Sequence, residues 1–213
     1  MIGKRNVWLP VVLMIVFAMT RWPGLMPPNF SAAYALVFCA GVFFRNRLGW
    51  WVPLLIMAVT DVALNFYYSA KGWNGFQAYQ LMNYVAYAAI FWLGRRFKPR
   101  ASFLALICGG LLGAILFYII TNTAAWLFNP FGNPEYAVKT LASWFLALTK
   151  GVATWPQTWE FFRNTLLGSS LFTALFVGAM KYSEHLESAE EKKAAEATAE
   201  GGEPEAEAEE AKA

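Results

Sequence analysis

The sequence predicts an all-α protein: a polytopic membrane bundle of six transmembrane helices, with an extra short interfacial helix between helices five and six. Three observations carry that prediction. The 213 residues are 58% hydrophobic and 17% aromatic but only 15% charged, too little charge to cover a soluble domain of this length. Six apolar runs approach the roughly 20 residues needed to cross a hydrocarbon core of about 30 Å. The Lys and Arg residues sit at the ends of those runs, which is membrane topology and not a nucleic-acid-binding stripe.

The runs fall at about 6–22, 30–46, 49–69, 76–95, 101–122 and 161–181. The first has a basic start but ends in AMTRWPG, a poor small-x-small cleavage site, so it reads as an uncleaved helix. Pro23, Pro27 and Pro28 stop it, and Asn29 or Ser31 is placed to cap the next. Lys4 and Arg5 precede the first span, Arg45 and Arg47 join the second and third, and Arg95, Arg96, Lys98 and Arg100 join the fourth and fifth. By the positive-inside rule both termini are cytoplasmic, which places the chain in a bacterial inner membrane with the lipid bilayer as its first partner. Between the last two spans, VKTLASWFLALTKGV sets Val138, Leu141, Phe145 and Leu148 at helical intervals. This is the short interfacial helix, flanked by Trp126, Trp155 and Trp159.

Charge divides the chain. Residues 1–181, the six-helix domain, carry fourteen Lys/Arg and three acids, giving +11, whereas residues 182–213 carry three Lys and eleven Glu, giving −8. That Ala/Glu-rich cytoplasmic tail cannot bury enough apolar surface to fold alone and reads as a disordered or partly helical extension. Cys39 and Cys108 lie in apolar runs and the lone His185 lies in the tail. No disulfide framework, metal site, cofactor or His-based triad can be assembled from them.

Asp61 is the only aspartate, and it lies inside the apolar run LLIMAVTDVALNFYY. An ionisable group within a membrane costs at least a few kcal/mol unless paired or hydrated, which makes it by default a functional hypothesis beside the alternative of a structural ion pair that fixes helix packing. Asn65 is one turn above it on the same face. With directions assigned, Arg21, Asn29, Gln77, Gln80, Asn83, Asn122, Arg163 and Asn164 all fall in the outer halves of their spans, while the inner halves are almost wholly apolar. Arg21 and Arg163 are the two candidate cations for Asp61. Trp50, Trp51, Trp92, Trp73 and Trp126 form aromatic belts, and Tyr67, Tyr68, Tyr79 and Trp126 are also placed to line a pocket for a flat ligand. Gly109-x-x-x-Gly113, Gly110-x-x-x-Ala114 and Ala174-x-x-x-Gly178 allow close helix packing.

The segments PNFSAAYALVFCAG (28–41), PLLIMAVTDVALNFYY (53–68), TNTAAWL (121–127) and FFRNTLLGSSLFTALFVG (161–178) resemble a family of six-helix bacterial membrane proteins catalogued as transport proteins of unknown substrate. Ala32 and Ser169 depart from that family's usual proline and aspartate. The family is similar in architecture to the S-components of energy-coupling-factor transporters, which implies an outward-facing pocket and a separate energising subunit. Residues and resemblance together predict capture of an unknown small molecule by Asp61, Asn65, Arg21, Asn29, Asn122, Arg163 and Asn164, with 129–160 as a lid. The competing expectation is a structural or assembly subunit in which Asp61 only pairs helices. Catalysis has the least support, because one carboxylate without a second acid, His or activated Ser makes poor machinery.

Overall fold

The computed structural model describes residues 8–44, 48–72, 77–152 and 156–200. Lys4, Arg5, Arg45, Arg47, Trp73 and Trp155, used above for topology and belts, lie outside them. The described residues form seven α-helices and two short 3-10 turns, without strands: α1 Trp8–Thr20, α2 Ala33–Phe43, α3 Leu48–Ala70, α4 Leu81–Arg95, α5 Phe103–Phe128, α6 Leu141–Leu148 and α7 Thr158–Glu200. The chain divides into two compact units, Met1–Gly178 and Ala179–Ala213. In the second unit, 179–200 is helical.

Among the described residues, two helices are long and apolar enough to cross a membrane, α3 over Trp51–Ala70 and α5 over its whole length. The others fall short of the six-span expectation. α1, α2 and α4 have 13, 11 and 15 residues, so α2 rises only roughly 16 Å. The cause is local. The proline-rich stretch after Thr20 turns rather than continuing a helix, with Gly24 and Asn29 both at positive φ, and residues 78–80 form a 3-10 turn before α4. Asn29 therefore occupies a left-handed position, which asparagine tolerates, and does not cap α2. The hydroxyl of Ser31 instead accepts from the Ala33 N–H at 3.1 Å, and that of Thr20 accepts from the Ala32 N–H at 3.2 Å. In α7 the apolar portion is interrupted by Arg163 and Asn164 at one end and Lys181 at the other. α5, by contrast, runs six residues past the expected 122, because nothing in TAAWLF breaks a helix before Asn129, which takes the left-handed conformation at φ 42°.

α2 is central: every one of its residues is buried, as expected of a helix apolar all round. Its backbone meets that of α4 directly. A Cβ on Gly41 would strike the Phe91 carbonyl and lie 3.1 Å from the Gly94 Cα, and one on Gly94 would strike the Phe38 carbonyl. The GGLLGA glycines serve α5 in the same way. Gly109 makes room for the Phe38 and Phe97 rings, Gly113 faces Ile90, and Gly110 faces Thr173 of α7. The buried Ser169 hydroxyl donates to the Gly110 carbonyl at 2.9 Å, so the residue that departs from the resembling family's aspartate ties α7 to α5. A Cβ on Gly178 would meet nothing within 4 Å.

Outside this core the large apolar side chains are exposed. Trp51, Leu55, Val59, Val62 and Phe66 form one outward stripe along α3, and Leu167, Leu171 and Leu175 another along α7. Exposed apolar area on this scale marks contact with something other than water.

α5 is capped at its start by Ser102, whose hydroxyl accepts from the Ala105 N–H at 3.2 Å. Ser102→Ala is expected to cost about 1 kcal/mol, read as a lower unfolding temperature in detergent. α6 has a capping box between Thr140 and Ser143. It is fastened to α5 by indole donors: Trp126 to Ser143 and Trp144 to Thr123, each at 2.9 Å. The Tyr118 hydroxyl also donates to the Leu148 carbonyl. Ala147 is buried while Val138, Leu141 and Phe145 are exposed, so most of the stripe read from the sequence faces outward, away from the bundle. Burial raises the Tyr136 phenol above its ordinary pKa, and the Glu135 carboxylate adds to the shift.

Candidate functional site

The polar residues that line the two cavities of the first unit gather at one end. They come from the turn after α1, the start of α2, the C-terminal half of α3, the N-terminal half of α4 and the C-terminal half of α5. That order means successive helices run in opposite directions. The basic segment Arg95–Arg100, between the C-terminus of α4 and the N-terminus of α5, belongs to the other end, where Phe97 packs on Phe38 at 5.3 Å.

At the polar end Asp61 is held from two sides. Arg21 forms an ion pair with its Oδ1, and the Tyr84 hydroxyl donates to its Oδ2 at 2.7 Å. A second guanidinium nitrogen of Arg21 donates to Thr60 Oγ1 at 3.0 Å. Thr60 in turn back-bonds to the Ile56 and Met57 carbonyls, at 2.9 and 3.0 Å. The guanidinium is therefore aimed by two adjacent residues of α3, and the carboxylate by α1 and α4 together. Neither side chain exhausts its capacity: a carboxylate offers about four acceptor sites and a guanidinium five donors.

Two cavities meet at this cluster. The first, of about 520 Å³, is lined by Arg21, Asp61 and Tyr84 with the amide residues Asn65, Gln77, Gln80 and Asn83. The second, of about 590 Å³, is lined by Arg21, Asn29 and Asn122 and by the rings of Tyr34, Tyr68, Tyr79, Tyr87 and Phe117. Arg21, Tyr68 and Asn83 belong to both. Their volumes are those of sites for small organic molecules. Among the described residues no group of three His, Cys, Asp or Glu stands together as a metal site would require.

Of the seven residues picked from the sequence, Asp61, Asn65, Arg21, Asn29 and Asn122 lie on these walls. The amide of Asn122 donates to the Tyr118 carbonyl at 2.9 Å. The other two lie elsewhere. Arg163 is exposed and stands over the Trp159 ring at 5.6 Å, so Arg21 and not Arg163 is the partner of Asp61. Asn164 donates to the Pro28 carbonyl at 3.0 Å, bracing the turn that carries Asn29. Of the 129–160 segment, Phe131 reaches the wall, edge-on to Tyr79 at 5.9 Å.

Sequence reasoning missed Thr60, Tyr34, Tyr84 and Tyr87. A signal existed for two of them: Gln80, Tyr84 and Tyr87 are spaced four and three apart and share one helix face. Tyr34 carried no such signal, because it opens a helix with no polar face at all.

Among the described residues, fold and site together define an all-helical architecture with two helices long and apolar enough for a bilayer, exposed apolar stripes on α3 and α7, and two adjoining cavities at one end. The chain belongs to DUF6580, a family of unknown function, whose model matches residues 2–191. No curated protein and no solved structure matches it. The family match itself assigns neither transport nor any likeness to S-components.

Proposed function

We propose that this protein is a six-span, multi-pass protein of the bacterial inner membrane, with both termini cytoplasmic, that captures a small molecule in an outward-facing chamber. The observation that carries this reading is the Arg21–Asp61–Tyr84 cluster, an ion pair set in the wall of a cavity instead of sealed inside helix packing. A purely structural pair gains nothing from an adjoining space lined with four amides. The exposed apolar stripes of α3 and α7 suit lipid contact. The placing of Arg95, Arg96, Lys98 and Arg100 opposite the chamber suits a cytoplasmic end under the positive-inside rule. The short helices α1, α2 and α4 fit such a bundle if flanking turns complete their crossings. The chain has no phosphate-binding loop of the nucleotide-hydrolysing kind, so active transport would draw on a separate energising subunit or an ion gradient. The 129–160 segment, which meets the wall at Phe131, is the proposed lid.

Native mass spectrometry of gently purified protein tests the reading. Wild type is expected to retain a small molecule that Asp61→Asn loses. A wild type that carries no added mass from cell extract or from defined ligand pools, beside an Asp61→Asn protein that merely dissociates more readily, would favour the helix-pairing role.

A further inference from the structure

The two cavities share Arg21, whose ion-pair partner Asp61 lines the first of them, and that combination restricts the ligand. Among the described lining residues of both, Arg21 and Asp61 are the only charged side chains. The first cavity is amide-rich and exposes Asp61. The second is lined by the turn after α1, by Asn29, Asn83 and Asn122, and by a cluster of rings: Tyr34 packs on Phe117 at 4.8 Å, and Tyr87 stacks on Phe117 at 5.2 Å with an interplanar angle of 29°. Tyr68 and Tyr79 complete the ring wall. Arg21 faces both spaces.

Arg21 and Asp61 are neutral as a pair. A ligand with one charge would leave three charges where only two can be matched, and a partly buried site penalises the unmatched one. A ligand with no charge would leave the spare donors of Arg21 and the spare acceptors of Asp61 without charged partners. A zwitterion meets both conditions, adding one positive and one negative group while the site stays neutral. The aromatic walls add a planar ring to that requirement, since rings gain from offset and edge-on packing beyond their buried area.

The geometry points to a zwitterionic aromatic ligand of the amino-acid kind. Its ring occupies the chamber of Tyr34, Tyr68, Tyr87 and Phe117, its carboxylate takes unspent N–H groups of Arg21, and its ammonium takes the open acceptor positions of Asp61. Thr60 and Tyr84 hold the two charged side chains apart from free rotation while this happens. This inference rests on the capture reading above and names the substrate class of the same site.

The test is titration calorimetry on the full chain in lipid nanodiscs, with L-tryptophan as the probe. Tryptamine lacks the acid, indole-3-propionate lacks the amine, and L-leucine lacks the ring. L-tryptophan is expected to bind, with each comparator at least tenfold weaker. Tyr68→Leu, at an exposed position, is expected to weaken L-tryptophan about fivefold with no change in unfolding temperature. Either single-charge analogue binding as tightly as L-tryptophan overturns the zwitterion requirement, and L-leucine doing so overturns the ring requirement. L-tryptophan failing to bind at millimolar concentration overturns the class. If native mass spectrometry of that same preparation still shows another molecule lost in Asp61→Asn, the capture reading survives while this inference fails.

Discussion

Gly41→Ala is expected to destabilise the bundle by about 2 kcal/mol, a large loss for one methyl group. In an ordinary helix the change would stabilise by about 1 kcal/mol through propensity. Here the new Cβ meets backbone, the Phe91 carbonyl and the Gly94 Cα, and backbone in a packed helix cannot rotate aside as a side chain can. Overpacking of that kind costs about 3 kcal/mol, so the steric term wins. Gly94→Ala, from the other side of the same crossing, is expected to behave alike. Two positions calibrate the series. Gly113→Ala would place its Cβ 3.2 Å from the Ile90 side chain, which can adjust, so its loss is expected to be smaller. Gly178→Ala meets nothing and is expected to be neutral or slightly stabilising. Thermal unfolding of the four variants in one detergent gives the ranking. Gly41→Ala melting with wild type would show that the α2–α4 crossing is looser than described.

Asp61→Asn is expected to cost about 2 kcal/mol, and the double variant Arg21→Gln/Asp61→Asn clearly less than the sum of its two single changes. Removing one partner of a fully buried pair costs about 3–5 kcal/mol, because the other is left uncompensated. Arg21 and Asp61 are 16% and 21% exposed, so water reaches them and the smaller figure applies. Removing both charges relieves the survivor, and residues in direct contact show coupling of about 1–2 kcal/mol in such cycles. The cycle separates the two roles considered for Asp61. A helix-pairing clasp predicts that the double variant regains stability and that nothing else changes. A ligand site predicts that it regains stability and still retains no ligand. Denaturation curves and native mass spectra of the same four proteins read both at once.

The helices were legible where apolar runs met clear punctuation. LLIMAVTDVALNFYY and the GGLLGA run lie in the two longest apolar helices, and the embedded Asp61 stands out against its apolar surroundings with no structural help. Helix ends were less legible. Thr121 and Asn122 look like a terminus because polar pairs often close helices, yet their side chains back-bond to the Phe117 and Tyr118 carbonyls and the helix continues to Phe128. The amphipathic stripe of α6 was visible as a pattern, but a pattern cannot say which side meets the bundle. Tertiary contact put Trp144, bonded to Thr123, and the buried Ala147 inward and left Leu141 and Phe145 outside.

The choice between Arg21 and Arg163 shows where sequence stops and tertiary structure begins. Composition and spacing alone determined an all-helical chain, a segregation of polar groups to alternating helix ends, and a lone carboxylate that needs a partner. Those follow from local rules: helical period, proline and the cost of ionised groups in an apolar run. Which cation answers Asp61, that Tyr84 joins it, and that five rings from α2, α3, the 3-10 turn before α4, α4 and α5 line a second cavity beside it are facts of the folded state. Each depends on how far and at what angle helices distant in sequence approach one another. That approach is set by contacts such as Gly41 on Gly94 and Gly110 on Thr173, which no single segment contains.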